Sequence, residues 1–542
     1  MKTIYSVLIT ILIFTTAKAQ WSIDPYNPAI VCNAAGAQAD VQSIHDGNGG
    51  YYVFWFDDRV AANATELYGQ HYDVNGTPQW TTNGKQIFSA PNSDLFYYSV
   101  IRNVAGNLFF GITEGAPGTG GDTIRVLKTD PDGNPIWAQP TLVGAKGGGP
   151  IYATNVQLIE KDSGVYVAHY LIWTGGSTVL RINRVDDSGT LLWALNGIQV
   201  PNGGAGGFGV VHDAAGGLLI YWRNGNGLGT SLGVRRMDEN GNFLWAGNVN
   251  PAAGTPGLGY DYRGISDNNG GLILTWVEVP SNIKMARMDT TGTLVWSGGV
   301  LPVCVESHSQ DRCRIILNGN YIFVAWLDSR PPASNADAYI QKFDLNGQPQ
   351  WTLDGVKCSN VNTYIPNTRM VASDSGSVIY TIDGNIYGFV TQKIKADSTL
   401  AWPAPGTLLC DDSFNPFYDD YALMPTVDFG AVSFWSTGGT VYTAKVGSNG
   451  TLVSLNENKN NVGNFSIYPN PATDEFTIQG LKFKDGDAIN VLDVMGRVIY
   501  QTKISDANPV QKFQTSRWMN GIYLVQIKTT VGMLTQKLVV QH

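Results

Sequence analysis

Tryptophan recurs along this chain with a period that one ordinary core would not produce. Trp21, Trp80, Trp137, Trp193, Trp245, Trp296, Trp351 and Trp402 are separated by 59, 57, 56, 52, 51, 55 and 51 residues. Spacing of that size marks one supersecondary unit copied along the chain. Seven of the eight close the phrase Asp-x-x-Gly-x-x-x-Trp or a worn form of it, as in Asp73 to Trp80 and Asp238 to Trp245. A carboxylate that accepts the backbone N–H two positions on, followed by a glycine that takes the left-handed conformation, closes a hairpin. The indole then covers the seam.

A second phrase lies between the tryptophans. Asp46-Gly47-Asn48-Gly49-Gly50 precedes Tyr51 to Trp55, Asp213 to Gly217 precedes Leu218 to Trp222, and Asp267 to Gly271 precedes Leu272 to Trp276. Weaker copies begin near Val104, Asp162, Asn318, Asp374 and Asp428, making eight units. Each turn feeds a run apolar on both faces, as expected of a strand buried between two sheets. A more polar strand, the Asp-x-x-Gly turn and the Trp strand follow. Four short strands in roughly 50 residues is the size of a propeller blade. The reading is all-β: residues 20–454 form a β-propeller of about eight four-stranded blades, the competing count being seven with one divergent unit outside the ring. The last unit reaches Ser454 where Trp is due, while Trp21 has no turn before it. The Trp21 strand is therefore expected to complete the last blade.

Composition agrees: 63 glycines and 11% aromatic residues suit turns and strands. Residues 1–19 read as a secretory signal peptide, with Lys2, an apolar run from Ile4 to Phe14 and the ending Ala17-Lys18-Ala19. No later stretch has the roughly 20 apolar residues that span a bilayer. The expectation is a chain exported via the periplasm, with no transmembrane segment once mature. Net charge is −9, and losing Lys2 and Lys18 takes it to −11. A nucleic-acid partner, which calls for a basic stripe, is not expected.

Five cysteines sit in a chain bound for an oxidising compartment. Cys32, Cys304, Cys358 and Cys410 follow phase tryptophans by 7 to 11 residues, which predicts one equivalent inner-strand site in four units, occupied by small buried thiols. Cys313 breaks the phase, nine residues from Cys304, and a local Cys304–Cys313 disulfide is the alternative. No Cys-x-x-Cys pair is present.

Residues 455–463 read as an Asn-rich linker, after which the periodicity stops. Residues 464–542 carry short strands separated by turn residues and read as a small immunoglobulin-like β-sandwich. Tyr468-Pro469-Asn470-Pro471-Ala472, Val491 to Arg497, Trp518 to Val525 and Gln536 to Val540 occur here in order. On these motifs the segment resembles the type A C-terminal sorting domain of the type IX secretion system of Bacteroidota. The resemblance implies that a translocon carries the cargo through the outer membrane, and that a sortase-like peptidase removes the domain at the cell surface. It also implies that Pro469, Asn470, Pro471, Gly496, Arg497, Gly521, Tyr523 and Lys537 belong to the sorting signal. The blade phrases are similar to uncharacterised β-propeller repeats of secreted bacterial proteins, a likeness that implies a fold and no activity.

Catalytic patterns are weak. Gly229-Thr230-Ser231-Leu232-Gly233 lacks the following helix that a nucleophile elbow needs. Gly204 to Gly209 lacks the strand-then-helix setting of a phosphate loop. Asp130 to Asn134 resembles half a calcium loop without its distal glutamate and reads as a turn. The six histidines include no His-x-x-x-His pair, so neither a metal nor a cofactor is expected. Asp57 with Arg59, and Asp328 with Arg330, repeat after the central strands of units one and six as ion-paired loops.

Aromatic and acidic clusters ahead of or within the innermost strands are the better candidates for ligand binding: Asp94, Phe96, Tyr97 and Tyr98; Tyr260, Asp261, Tyr262 and Arg263; Phe417, Tyr418, Asp419, Asp420 and Tyr421. Tyr rings offer faces for stacking, and Asp accepts hydroxyl hydrogen bonds. The plainer alternative is that these rings pack between blades. The leading expectation is a surface or secreted module that binds a glycan or protein ligand. The first rival is a carbohydrate-active hydrolase or lyase using Asp419 or Asp420 with Asp261, and the second is a passive surface component.

Overall fold

The computed structural model describes residues 21–453 and 465–542 except 61–64, 91–92, 117–120, 146–149, 162, 174–175, 205, 226–230, 256, 332–335, 359–367, 375, 385–387, 415, 417–419, 480–486, 494–497, 504–509 and 530–531. The signal peptide and linker readings fall outside the described residues. Two compact units divide the chain at Ser454 and Leu455.

Among its described residues the first unit contains eight antiparallel sheets, seven of them four-stranded. The fourth-unit sheet has three strands, Phe208–His212, Leu218–Asn224 and Ser231–Met237, with a lone bridge between Val234 and Val249 where a fourth would lie. The first strands of the sheets are Gln38–His45, Asp94–Arg102, Pro150–Lys161, Phe208–His212, Leu258–Ser266, Gln310–Asn318, Thr368–Ala372 and Tyr421–Pro425. Each touches the first strand of the next sheet, and the last touches the first. The circuit is closed, so the first unit is an eight-bladed propeller whose first strands are innermost.

Closure uses the start of the chain. Ala29–Cys32 pairs with Thr440–Val446 and forms the outer edge of the blade that begins at Tyr421, with Ala29 opposite Thr443. Trp21 is 2% exposed, its ring 6.2 Å from that of Phe434 in the same blade. The clasp strand begins eight residues beyond Trp21, and all eight sheets are in the ring.

The periodic indoles join one blade to the next. Trp137, Trp245, Trp296, Trp351 and Trp402 each donate Nε1–H to a carbonyl in the following unit's Asp-x-x-Gly turn, those of Asp187, Thr290, Leu345, Ala396 and Ser448, at 3.0–3.1 Å. The turn glycine lies against the same ring. Gly76 has φ +80°, and a Cβ there would stand 1.9 Å from Trp21 Nε1; Gly450 has φ +84°, with 2.4 Å to Trp402. The glycine thus serves the turn and the close approach together. In the seventh unit Ser398 takes this position at φ +74°. Asp73 Oδ1 accepts the N–H of Asn75 at 2.9 Å and of Thr77 at 2.8 Å, and Asp130 binds Asp132 and Asn134 in the same way, as a plain turn.

Each blade is filled by a residue near the end of its second strand. Trp55, Trp222, Trp276, Trp326 and Trp435 hold this place and are wholly buried, while units two and seven use Ile112 and Ile382. The third unit has His169, opposite Arg181, with neither ring nitrogen hydrogen-bonded among the described residues. Burial, with the Arg181 charge adding to it, pushes its imidazole down to about 4. Unfolded histidine titrates near 6.5, so the unfolded chain takes up the proton first as pH falls. This contribution to stability is complete above about pH 6.5 and is lost towards pH 4, with a slope approaching ~1.4 kcal/mol per pH unit. His169→Ile, copying the second and seventh units, will flatten the fall in melting temperature between pH 7 and 4.5; an unchanged fall would contradict this assignment.

All five cysteines are free and buried, so the Cys304–Cys313 disulfide is not formed. The inner-strand placement of the other four is also corrected. Cys32 and Cys410 end fourth strands, and Cys304 and Cys358 follow them, because the strand after the Trp turn is the outermost of its blade.

In the second unit, a three-stranded sheet (Ser466–Tyr468, Glu475–Gln479, Val510–Gln514) and a four-stranded one (Val498–Lys503, Ala488–Asp493, Gly521–Thr529, Gly532–Val540) enclose Phe476, Ile489, Val491, Val525, Ile527 and Leu538. This is the expected β-sandwich. Among the described residues no helix is long and apolar enough to cross a membrane.

Candidate functional site

The starts of the innermost strands carry irregularities that regular strands would not need. Pairing slips between Ala39 and Gln42, Thr154 and Gln157, and Asp311 and Arg314. Each bulge holds one non-glycine residue in the left-handed region: Asp40 at φ 57°, Asn155 at 53° and Arg312 at 57°. Further slips occur between Leu95 and Tyr97 and between Leu258 and Tyr262. Bulges of this kind re-aim side chains and gather at functional rims.

A cavity of about 540 Å³ opens at this end of the ring, lined by Asp40, Gln42, Tyr97, Arg369, Asp420 and neighbours from four blades. A second, of about 320 Å³, shares Tyr97 and Tyr98 with it and continues to Gln157 and Phe208. A third, of about 550 Å³, starts from Gln157 and reaches His212 and Ile265. The three follow the inner strands around and along the channel.

Asp420 secures the Asp40 bulge across the ring closure. Its carboxylate accepts the N–H of Asp40 at 2.9 Å and of Val41 at 2.5 Å, and the Ser436 hydroxyl donates to it as well. Burial still pushes the Asp420 carboxyl above the usual range. Burial, with the nearby Asp420 charge, also raises the carboxyl of Asp40.

The expected ligand-binding residues divide. Tyr97 is 48% exposed and faces both upper cavities. Tyr98 is buried, its hydroxyl donating to the carbonyls of Asp40 at 2.5 Å and Phe54 at 2.9 Å in the neighbouring blade, and burial raises it well above the usual phenol range. Tyr262 packs edge-on against Tyr221 and donates to the Gly206 carbonyl. Tyr421 packs edge-on against Phe389, with the Arg369 guanidinium 4.8 Å above its ring. These three rings pack between blades. Asp261 pairs with Arg263 at 2.9 Å and Arg314 at 3.2 Å. Asp261 and Asp420 thus belong to separate networks. Phe417, Tyr418, Asp419 and the side chain of Tyr260 lie outside the described residues.

The Asp/Arg pairs sit in duplicated buried clusters. Asp57 accepts Trp55 Nε1–H at 2.9 Å and pairs with Arg59 at 2.5 Å; Arg59 reaches the Cys32 sulfur at 3.2 Å and lies 3.9 Å over Tyr68. In unit six Asp328 accepts Trp326 Nε1–H at 3.0 Å and pairs with Arg330 at 2.6 Å; Arg330 reaches the Cys304 sulfur at 3.3 Å and lies 4.0 Å over Tyr339. Burial pushes the Cys304 thiol up to about 12, which makes it a poor nucleophile. Ser231 opens a strand, so no nucleophile elbow forms there. Among the described residues no group of three or more His, Cys, Asp or Glu side chains could hold a metal.

In the second unit the tail motifs meet. Asn470 Nδ2–H donates to the Lys537 carbonyl at 2.7 Å, and Asn470 Oδ1 accepts the Val539 N–H at 2.8 Å. Tyr523, four residues from Met519, donates its hydroxyl to the Met519 carbonyl at 2.8 Å, while Pro469, Pro471 and Gly521 flank these contacts. Gly496 and Arg497 lie outside the described residues.

Sequence reasoning missed Asp40, Arg314 and Arg369. Their only signal is their register against the second strands, which weak copies of the repeat do not display.

Residues 466–541 match the family model of the secretion system C-terminal sorting domain. The tail is a type IX sorting domain: it engages the type IX secretion machinery, and the chain is exported to the cell surface or secreted. No curated protein sequence matches the chain. Among solved structures, a prolyl endopeptidase aligns at TM-score 0.40 and 12% identity over 83% of this chain and 56% of its own. Prolyl oligopeptidase B from Galerina marginata gives 0.42 and 11% over 83% and 57%, and an α-L-arabinofuranosidase from Fusarium graminearum 0.33 and 12% over 68% and 95%. The chain thus spans little more than half the length of these two peptidases. At these scores the likenesses carry no inference about activity.

Proposed function

We propose that the propeller is a ligand-binding module displayed outside the cell, taking a glycan at the mouth formed by the starts of its innermost strands. The observation that carries this reading is Tyr97, an exposed ring between two joined cavities with Asp40 and Arg369 on the same wall. A flat aromatic face stacks on a sugar ring, while carboxylate and guanidinium groups hold its hydroxyls. Tyr97→Ala will leave the melting temperature within a degree or two and weaken binding of a captured oligosaccharide by about tenfold, the upper range of an aromatic contact. Unchanged affinity in a glycan-array and calorimetry series would remove the mouth as the site.

The sorting residues Pro469, Asn470, Pro471, Gly496, Arg497, Gly521, Tyr523 and Lys537 would serve export, after which a sortase-like peptidase would release the ring. The mass of the protein recovered outside the cell tests that step. A second reading, a glycoside hydrolase, draws on the neighbouring Asp40 and Asp420 carboxyls, both raised in pKa, as a general acid should be. Asp420 is already held by two backbone donors and Ser436, which favours binding over turnover. Release of reducing ends from an oligosaccharide panel, abolished by Asp40→Asn, would reverse that preference.

A further inference from the structure

Strand pairing sets equivalent residues of the eight blades at common levels that the repeat phrases hide. In each blade, one innermost-strand residue pairs with the residue just before the central Trp or its substitute. In units one to three this level is Gln42, Ser99 and Gln157, opposite Phe54, Gly111 and Ala168. In units five, six and seven it is Arg263, Arg314 and Arg369, opposite Thr275, Ala325 and Thr381. Three guanidinium groups therefore occupy one level on three consecutive blades. The level faces the channel, because Gln42 and Arg369 line the first cavity and Gln157 lines the second and third.

The three arginines are not equivalent. Arg314 is the fixed member: its Nε–H donates to the Thr368 carbonyl of the next blade at 2.8 Å, and its Nη1 reaches Asp261 of the preceding one at 3.2 Å. Only 9% of its side chain is exposed. Arg263 shares Asp261, and 45% of its side chain is exposed. Arg369 stands on the far side, over Tyr421 and on the cavity wall. Among the described residues Asp261 pairs with two of the three, Arg263 and Arg314. The two carboxyls that line the cavity with Arg369, those of Asp420 and Asp40, lie one and two blades further round the ring. An otherwise acidic protein thus concentrates fixed positive charge along one arc of its channel, and guanidinium forks pair bidentately with planar oxyanions.

We propose that this arc is an anion subsite of the glycan site, in which Arg263 and Arg369 bind the carboxylate or sulfate of an acidic sugar while Arg314 fixes their spacing. The inference rests on the glycan-binding reading and adds the class of glycan. The test uses the secreted full chain and its Arg263→Gln and Arg369→Met variants in calorimetry with oligogalacturonate, a chondroitin sulfate oligosaccharide and a neutral xylo-oligosaccharide of matched length.

The expected result is tighter binding of at least one acidic probe than of the neutral one, by tenfold or more. Each variant should lose roughly tenfold or more of that affinity, as for a hydrogen bond to a charged group, and Arg263→Gln should do so without changing neutral binding. Which acidic probe binds separates carboxylate from sulfate. Affinity should also fall with added salt, a readout that does not depend on any variant folding. Equal binding of neutral and acidic probes, or variants that bind acidic probes normally, would overturn the anion subsite and leave the glycan site standing. Binding of none of the three would overturn both.

Discussion

Gly76→Ala will destabilise the ring by about 2–5 kcal/mol. The left-handed conformation costs an L-residue about 1–2 kcal/mol. The added Cβ would also stand 1.9 Å from Trp21 Nε1 and 2.2 Å from its Cε2, so the indole must move, an overpacking cost of about 1–3 kcal/mol. Gly176 provides the control, with φ +85° and no atom within 4 Å of a Cβ, so Gly176→Ala will show the backbone part alone. The difference between the two in denaturant midpoints measures the contact between indole and turn. Equal losses would mean that the indole does not hold the next blade. By the same logic Ser398→Gly, which returns the seventh unit to the repeat, will stabilise the ring by about 1 kcal/mol.

Asp328→Ala will cost about 3–5 kcal/mol, because it strands a buried charge. The Asp328 side chain is fully buried and accepts from Trp326, from the Arg330 guanidinium and from the Arg330 backbone N–H. Burial alone would raise its carboxyl, but the hydrogen bonds from Arg330 and Trp326 outweigh it and hold the group below the usual range. Its stabilisation is therefore present above the unfolded carboxylate pKa, near 3.9, and is lost as pH falls through the lower folded value. Removing one partner of such a pair leaves the other uncompensated, which is the expensive case. Calorimetric melting of Asp328→Ala beside Asp328→Asn, which keeps the shape and drops the charge, will separate the two contributions. A loss below 1 kcal/mol for the alanine variant would show that water relieves Arg330.

What was legible in the sequence was local. The Asp-x-x-Gly turn announces itself because donor, acceptor and left-handed residue lie within five positions, as Asp73 to Thr77 show. That the glycine also meets the preceding unit's Trp depends on contact some 50 residues away and could not be read from the turn. Strand order within a blade is equally silent, which is why Cys32 and its three counterparts were expected on inner strands and lie at outer ones. The aromatic clusters were found at the channel end, yet strand alternation turns Tyr98, Tyr262 and Tyr421 between blades and leaves Tyr97 facing out. Asp40, Arg314 and Arg369 were invisible, because the register that places them depends on pairing with the second strand, shifted by a bulge beside Asp40 and Arg314, and nothing in the local sequence records it.

The clasp has a consequence for biogenesis. Residues 29–32 are among the first of the ring to leave the ribosome, yet their partner strand ends at Val446, so the earliest-made piece waits for nearly the last. Until then two strand edges stand open, each a template for a neighbouring chain. A nascent or truncated molecule is thus exposed to mispairing throughout synthesis, and a chaperone that shields the amino-terminal segment would protect the whole hoop.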